Sequence, residues 1–460
     1  MKYLFFFAAV IAILPATVFL LCDRRLIRWG IMMLTLPLCV FDMTAINFFS
    51  HETYRGTSRG MEVSLVYIMA AVILLVFTIL RGPRKFFPDW GSRLYLLYFL
   101  LSIPSLLNAP HMEYFFFELW KMAMMHLVFM AVYYYLEYND GDLDFILYGV
   151  AILVAYNFGM VLYQHLYGVY QVTGVFPHQN SMAMYMLMAG LLFFSYCFNN
   201  QGRWKNLIFF IAFLLASAAL ARSYSRGALF CYPVGGLLTY LCSLWGGLST
   251  HKMRYSLLLA SFAIIGLILF MPRIVERFQK APAASGETRK SYAIAATNMM
   301  KDKPWIGVGL NNWGIVINPP YNYSEHRDWE KGYTDESKDG IVETIYLLVG
   351  AECGIPCLIV LLAWFGYYWV STIRLMKLLR RTRYFYIPAG LFGALTGVFM
   401  QSALEWVLKQ PINFIWLVTL FAIISFLNKH YQELVALEPP APDPAWKREP
   451  APAVLPRDWD

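Results

Sequence analysis

The chain reads as an all-α, polytopic integral membrane protein of about 12–13 transmembrane helices with one large loop. Three observations predict this. Of its 460 residues, 59% are hydrophobic and only 14% charged, against roughly 25% charged in a soluble chain, and mean hydropathy is +0.50. Apolar runs of about the 20 residues that a spanning helix needs recur along its length. Basic residues collect after alternate runs. No water-soluble core hides this much apolar surface, so soluble enzymes, nucleic-acid binders and disordered proteins are excluded.

The runs lie at roughly 3–21, 29–48, 62–80, 94–107, 114–136, 145–167, 181–198, 206–221, 228–247, 255–271, 342–369, 384–404 and 411–428. The first is expected to stay as a retained helix, because basic residues follow rather than precede it and it has no convincing small-residue cleavage site. The fourth is short and contains Pro104, which predicts a broken or re-entrant piece. Arg24, Arg25 and Arg28 follow the first run, Arg81, Arg84, Lys85 and Arg93 the third, and Arg203 and Lys205 the seventh. Lys252 and Arg254 follow the ninth, and Arg374, Lys377, Arg380, Arg381 and Arg383 the eleventh. All follow odd-numbered runs, so all fall on one side, which the positive-inside rule makes cytoplasmic. The acidic segment Glu137–Asp144 is the exception on that side, and acidic residues weigh little in the rule. Segments 49–61, 108–113, 168–180, 222–227, 272–341 and 405–410 then share the opposite side.

Four regions follow: transmembrane helices over 1–271, a loop over 272–341, helices over 342–428 and a cytoplasmic tail over 429–460 with seven prolines between Pro439 and Pro456. The tail composition predicts an extended segment without a core. In the loop, Tyr292, Ala295, Ala296, Met299 and Met300 recur near helical spacing, so 288–301 reads as an amphipathic helix. Long loops in compact proteins serve as lids or binding elements, or are disordered; the helix argues for the former. The seven cysteines lie in or beside apolar runs and form no CxxC or Cys/His cluster, so they read as small buried hydrophobes. No internal repeat points to an inverted-repeat transporter.

Four clusters can carry chemistry, and each has a plainer structural reading. TGVFPHQNSMA, 173–183, places His178 and Asn180 before the seventh run; Asn180 or Ser181 can simply cap that helix. ARSYSRGALF, 221–230, sets Arg222 and Arg226 four apart in an apolar context. Arginines there can grip phosphate through paired hydrogen bonds, or anchor a helix end by snorkelling. TRKSYAIAATNMMKDKPWIGVGLNNW, 288–313, opens with Arg289 and Lys290. Its Gly307-Val308-Gly309 lacks the third glycine and the strand–turn–helix setting of a nucleotide fingerprint and reads as a turn. IVETIYLLVGAECGIP, 341–356, has Glu343 at the membrane mouth and Glu352 deeper. Glu343 can act as a general base or favour the helix N-terminus by charge. Asp42, Glu118, Lys121, His126 and Glu405 are further ionisable residues in apolar surroundings, and Glu118 and Lys121, spaced i,i+3, can pair as a structural element.

These clusters, in this order, resemble the O-antigen ligase family and the related O-antigen polymerases. The elements that carry the resemblance are GVFPHQNSMA, SYSRGALF, Arg289-x-x-Tyr292 with KDKPWIGVGLNNW, and YLLVGAECGIP, concentrated in 173–360. The resemblance implies a metal-independent, GT-C-like glycosyltransferase of the bacterial inner membrane, with no cofactor and its site on the periplasmic face. It implies a glycan donor on undecaprenyl diphosphate and, as acceptor, lipid A–core, another glycan or a protein. Arg226 matches the arginine of the SRG element and Arg289 that of the loop helix, both implied to contact the diphosphate, with Arg222 beside them. The family's proposed base is a histidine before x-Tyr-Leu, where this chain has Glu343 before Thr344, Ile345, Tyr346 and Leu347. Three alternatives follow: Glu343 replaces the histidine, His326 or Asp339 folds back from the loop, or transfer activity is lost. His178, Asn180 and Tyr346 are expected to shape the site. The rival class is a transporter of a lipid-linked substrate.

Overall fold

A computed structural model describes residues 2–51, 53–82, 85–139, 141–199, 202–279, 283–321, 323 and 340–436. The helices are α1 (Lys2–Ile11), α2 (Ile13–Cys22), α3 (Arg24–Thr35), α4 (Phe41–Thr44), α5 (Leu65–Arg81), α6 (Trp90–Ser102), α7 (Met112–Tyr138), α8 (Asp144–Leu166) and α9 (Gln179–Asn199). They continue as α10 (Arg203–Ser223), α11 (Arg226–Trp245), α12 (Thr250–Gln279), α13 (Ala283–Asp302), α14 (Trp313–Val316), α15 (Ile345–Cys353), α16 (Ile355–Leu378), α17 (Tyr386–Ser402) and α18 (Pro411–Ala436). One hairpin interrupts the helices: β1 (Ile46–Phe48) pairs antiparallel with β2 (Met61–Val63), Asn47 opposite Glu62.

The protein is an all-α, polytopic membrane protein. Among the described residues, seven helices are long and apolar enough to cross a membrane: α7, α8, α9, most of α10, α11, α16 and α18. Several other predicted runs are shorter or interrupted, for identifiable reasons. The run 29–48 loses its helix after Thr35, where Pro37 opens a 3₁₀ stretch at Leu36–Val40. The run 94–107 also turns 3₁₀ after Ser102, at Pro104, as its proline predicts. The run 342–369 breaks between α15 and α16 at Gly354, whose φ of +86° suits a residue without a Cβ. In the other direction, α12 carries helix through Pro272 to Gln279, so the loop begins later than its composition suggests.

α9 is the inner helix: residues Ser181–Phe198 are all buried, between α10, α11 and α17. A helix apolar all round belongs in such a position. α18, equally apolar, packs against α7 and α16. Small residues allow the backbones to approach closely; a Cβ on Gly235 would sit 2.7 Å from the Gly393 carbonyl oxygen.

The two ends of the bundle are set apart by their ion pairs. At one end Arg28 meets Asp142 at 3.5 Å, Lys205 pairs with Asp144, and Lys429 pairs with Glu137. The acidic segment that departs from the charge pattern is therefore the partner of the basic loops beside it. At the other end, segments near residues 54–62, 108–111, 177–181, 289–313, 340–343 and 401–413 meet one another. The cysteines divide: Cys197, Cys231, Cys353 and Cys357 are buried, Cys39 and Cys242 partly so, and Cys22 is exposed on a helix face that the protein does not cover.

The Gly307–Gly309 turn is a close backbone crossing. Val308 and Gly309 donate to the carbonyls of Ala351 and Glu352 at 2.9 and 3.0 Å, and Ile355 donates to the Pro304 carbonyl at 2.8 Å. Gly307 has φ +67°, and a Cβ there would lie 2.3 Å from the Glu352 carbonyl carbon. Gly307→Ala is expected to lower the unfolding temperature, since left-handed strain alone costs about 1–3 kcal/mol and the backbone contact adds to it. Thermal unfolding in detergent checks this; an unchanged midpoint would count against so tight a crossing.

Candidate functional site

The site is built around Arg289 on α13. That helix carries the predicted amphipathic pattern: Tyr292, Ala295, Ala296 and Met299 are buried, packed with Trp313, Val316 and Leu348. This buried stripe leaves Arg289, one turn before Tyr292, on the side facing α15 and the segment after α17. Its Nε pairs with Glu343, and its Nη2 lies 3.3 Å from Glu405 Oε1. One planar guanidinium thus holds two carboxylates from separate stretches of chain, the fork geometry that suits arginine.

Glu343 is placed by its neighbours. Gly340 is pinned between Tyr292, whose hydroxyl accepts from its N–H at 2.8 Å, and Trp313, whose Nε1 donates to its carbonyl at 3.0 Å. Val342 is buried, and Thr344 is the N-cap position of α15 without a side-chain cap bond. The Glu343 side chain, 34% exposed, therefore reaches Arg289 rather than capping α15.

Glu405 is held more tightly, with its side chain 6% exposed. Burial raises its carboxyl, the Glu343 charge adds to this, and Arg289 and a hydrogen bond from Asn180 hold it back, leaving it at about 7. Asn180 enters from the first turn of α9, where Gln164 and Asn157 brace the incoming chain. Gln164 Oε1 accepts from the Thr173 and Gly174 N–H groups at 2.9 Å each, and Asn157 Oδ1 accepts from Val175 N–H at 3.0 Å. The cap itself differs from the expectation: His178, not Asn180 or Ser181, accepts the Asn180 N–H through Nδ1 at 3.2 Å. That leaves the Asn180 side chain for Glu405 and Ser181 Oγ for Asn413 Nδ2, at 3.0 Å.

The other sequence candidates separate. Arg226 opens α11 and is half-buried; its neighbour Gly227 lies against Gln401 and Leu404, next to Glu405. Arg222 instead meets His165 Nε2 at 2.7 Å, toward the end of α8. Tyr346 donates to the Phe399 carbonyl at 2.9 Å and ties α15 to α17. His126 bonds the Phe86 carbonyl at 2.8 Å. His326 and Asp339 lie outside the described residues, as does the Asp42 side chain.

The 405–410 segment that brings Glu405 to Arg289 also enters a buried ion network only half legible in the sequence. Glu118 and Lys121 pair at 2.7 Å, as their spacing predicts. Lys409 joins them, 3.1 Å from Glu118 and 3.7 Å from Glu352. Thr57 and Ser58 donate to Glu118 Oε2 at 2.7 and 2.6 Å. Asn311 ties this network to the loop, accepting from Thr57 N–H at 2.8 Å and donating to the Ser58 and Tyr114 carbonyls at 2.9 Å each. Burial works to lower the Lys409 ammonium, but Glu118 and Glu352 keep it firmly charged. The sequence signal for Glu405, Lys409 and Gln410 was a short polar stretch between two apolar runs.

Residues 211–362 match the family model described as O-antigen ligase. Over this stretch, about a third of its length, the chain is similar to the O-antigen ligase family. The match spans α10 to α16 and includes Arg222, Arg226, Arg289 and Glu343; His178, Asn180, Glu405 and Lys409 lie outside it. No curated protein matched the chain. Members of that family are glycosyltransferase-like membrane enzymes with lipid-linked glycan substrates. Among the described residues, no group of three or more His, Cys, Asp or Glu side chains is arranged to hold a metal ion.

Proposed function

We propose that this protein transfers a glycan from undecaprenyl diphosphate to an acceptor hydroxyl, at the periplasmic face of the bacterial inner membrane. The observation that carries the reading is Arg289: a guanidinium in the family segment, at the loop-rich end of the bundle, held by two carboxylates. Arg289 and Arg226 bind the diphosphate and stabilise the charge that grows on it as the anomeric C–O bond breaks. The acceptor hydroxyl attacks the anomeric carbon from the opposite face, inverting it, and gives its proton to Glu343, the more solvent-accessible carboxylate. The segment after α13 covers the donor. Lipid A–core, a growing glycan or a protein can each present the hydroxyl.

A second assignment of the base rests on Glu405. Its buried carboxyl, raised to about 7, is tuned to accept a proton near neutrality, with Glu343 then holding Arg289. The two assignments predict different pH profiles. With Glu405 as base, turnover rises with pH through about 7 as its carboxylate forms, and Glu405→Gln removes that limb. With Glu343 as base, Glu343→Gln abolishes turnover and Glu405→Gln only weakens it.

Donor turnover by purified protein, with undecaprenyl diphosphate-linked glycan and membrane-extracted acceptor, tests the reaction itself. Turnover lost in Arg289→Ala supports transfer. Movement of the lipid-linked substrate with its glycosidic bond intact would instead identify a transporter.

A further inference from the structure

A cavity of about 210 Å³ with mixed polar and apolar walls opens at the same end of the bundle. A water molecule occupies roughly 30 Å³ in the liquid, so the cavity accepts a group the size of one sugar ring, below the usual range for larger ligands. Its wall combines Arg59, Glu62, Lys121, Ser181, Trp406 and Gln410. Lys121 is buried at its base, while Arg59 is exposed at its rim. The Gln410 Oε1 atom is buried without a hydrogen-bond partner among the described residues, and such an atom is costly unless something donates to it. Trp406 is half-buried. Lys121 is already neutralised by Glu118, so the exposed Arg59 is the cation offered to a ligand. With hydroxyl and amide groups and an aromatic ring, it suits a polyhydroxylated ring whose negative charge lies toward Arg59 and away from Glu62.

Its position relative to the arginine cluster assigns it a role. Neither Arg289, Glu343 nor Arg226 lines it. Yet Trp406 adjoins Glu405 in the chain, and Ser181 adjoins Asn180, which bonds Glu405. A displacement with inversion needs the attacking hydroxyl and the departing diphosphate on opposite faces of the anomeric carbon. A subsite separated from the arginines, but bordered by the neighbours of the residues around Glu405, fits the attacking partner.

We infer that this cavity is the acceptor subsite, and that it takes a single sugar ring with an anionic substituent, Arg59 reading the charge and Gln410 accepting from a ring hydroxyl. This rests on the transferase reading given above. The test is binding, measured by saturation-transfer NMR on purified full-length protein, with glucuronic acid, glucose and inorganic phosphate as probes. Wild type is compared with Arg59→Ala, Arg59→Lys, Gln410→Ala and Arg289→Ala.

Glucuronic acid is expected to bind wild type and Arg289→Ala alike. Binding is expected to fall about tenfold in Arg59→Ala, to recover in part in Arg59→Lys, and to fall in Gln410→Ala; glucose is expected to bind more weakly than glucuronic acid throughout. Loss in Arg289→Ala with none in Arg59→Ala would move the sugar to the arginine cluster and overturn the inference. Displacement of the sugar by phosphate at equal concentration would reduce the cavity to an anion site, and absence of any sugar signal in wild type would remove the subsite. None of these results depends on donor turnover. A failed transferase reading would show instead as absent turnover with sugar binding intact.

Discussion

Arg289→Ala is expected to reduce donor turnover by about 10²–10³-fold, the loss that follows removal of one preorganised group stabilising developing charge. The effect is expected in kcat more than in KM, because the charge on the diphosphate is greatest as the glycosidic bond breaks. Arg289→Lys is expected to restore little. Glu343 and Glu405 approach different atoms of the guanidinium, and a lysine ammonium cannot reproduce that planar fork. Removal of the arginine also leaves two carboxylates near each other, one of them buried, so Glu405 is expected to hold its proton to higher pH in the variant. Single-turnover rates with wild type and both variants, over a pH series, check all three statements. Turnover within a few-fold of wild type in Arg289→Ala would detach this residue from the chemistry.

Lys409→Met carries the largest expected effect on folding. It removes the only described cation shared by Glu118 and Glu352, both fully enclosed. Breaking a buried pair from one side costs about 3–5 kcal/mol because a charge is left uncompensated. That approaches the whole net stability of a small domain, so low yield and early thermal unfolding in detergent are expected. Glu352→Gln added to Lys409→Met is expected to recover part of the loss, since it removes one orphaned carboxylate while Lys121 still serves Glu118 at 2.7 Å. Equal melting of wild type and Lys409→Met would show that the network contributes little. The same clamp holds segment 405–410, so a folded Lys409 variant is also expected to lose turnover through displaced Glu405.

Much of the architecture was legible because it depends on local properties. Composition alone demanded a bilayer, and the spacing of Tyr292, Ala295, Ala296 and Met299 predicted the buried face of α13 that the structure carries. Basic residues following alternate runs predicted one end, and the ion pairs of Arg28, Lys205 and Lys429 gather there. Interruptions were harder to see. Pro37 and Gly354 each break a run that hydropathy reads as continuous, because hydropathy averages over residues while a helix fails at a single backbone position.

The sequence by itself determined that this is a multi-pass membrane protein, and it pointed to the short segments proposed to carry its chemistry, with Glu343 where the family resemblance implies a histidine. Only the tertiary structure decided which of those residues meet. Arg289 and Glu405 are 116 residues apart, and nothing in the local pattern of either joins them. Lys409 reaches Glu118 and Glu352 only because α7, α15 and the segment before α18 converge at one end of the bundle. Periodicity and composition are properties of neighbouring residues and can be read along a chain. The partner of a buried charge is set by how helices pack, and desolvation then allows few places where that charge can stand.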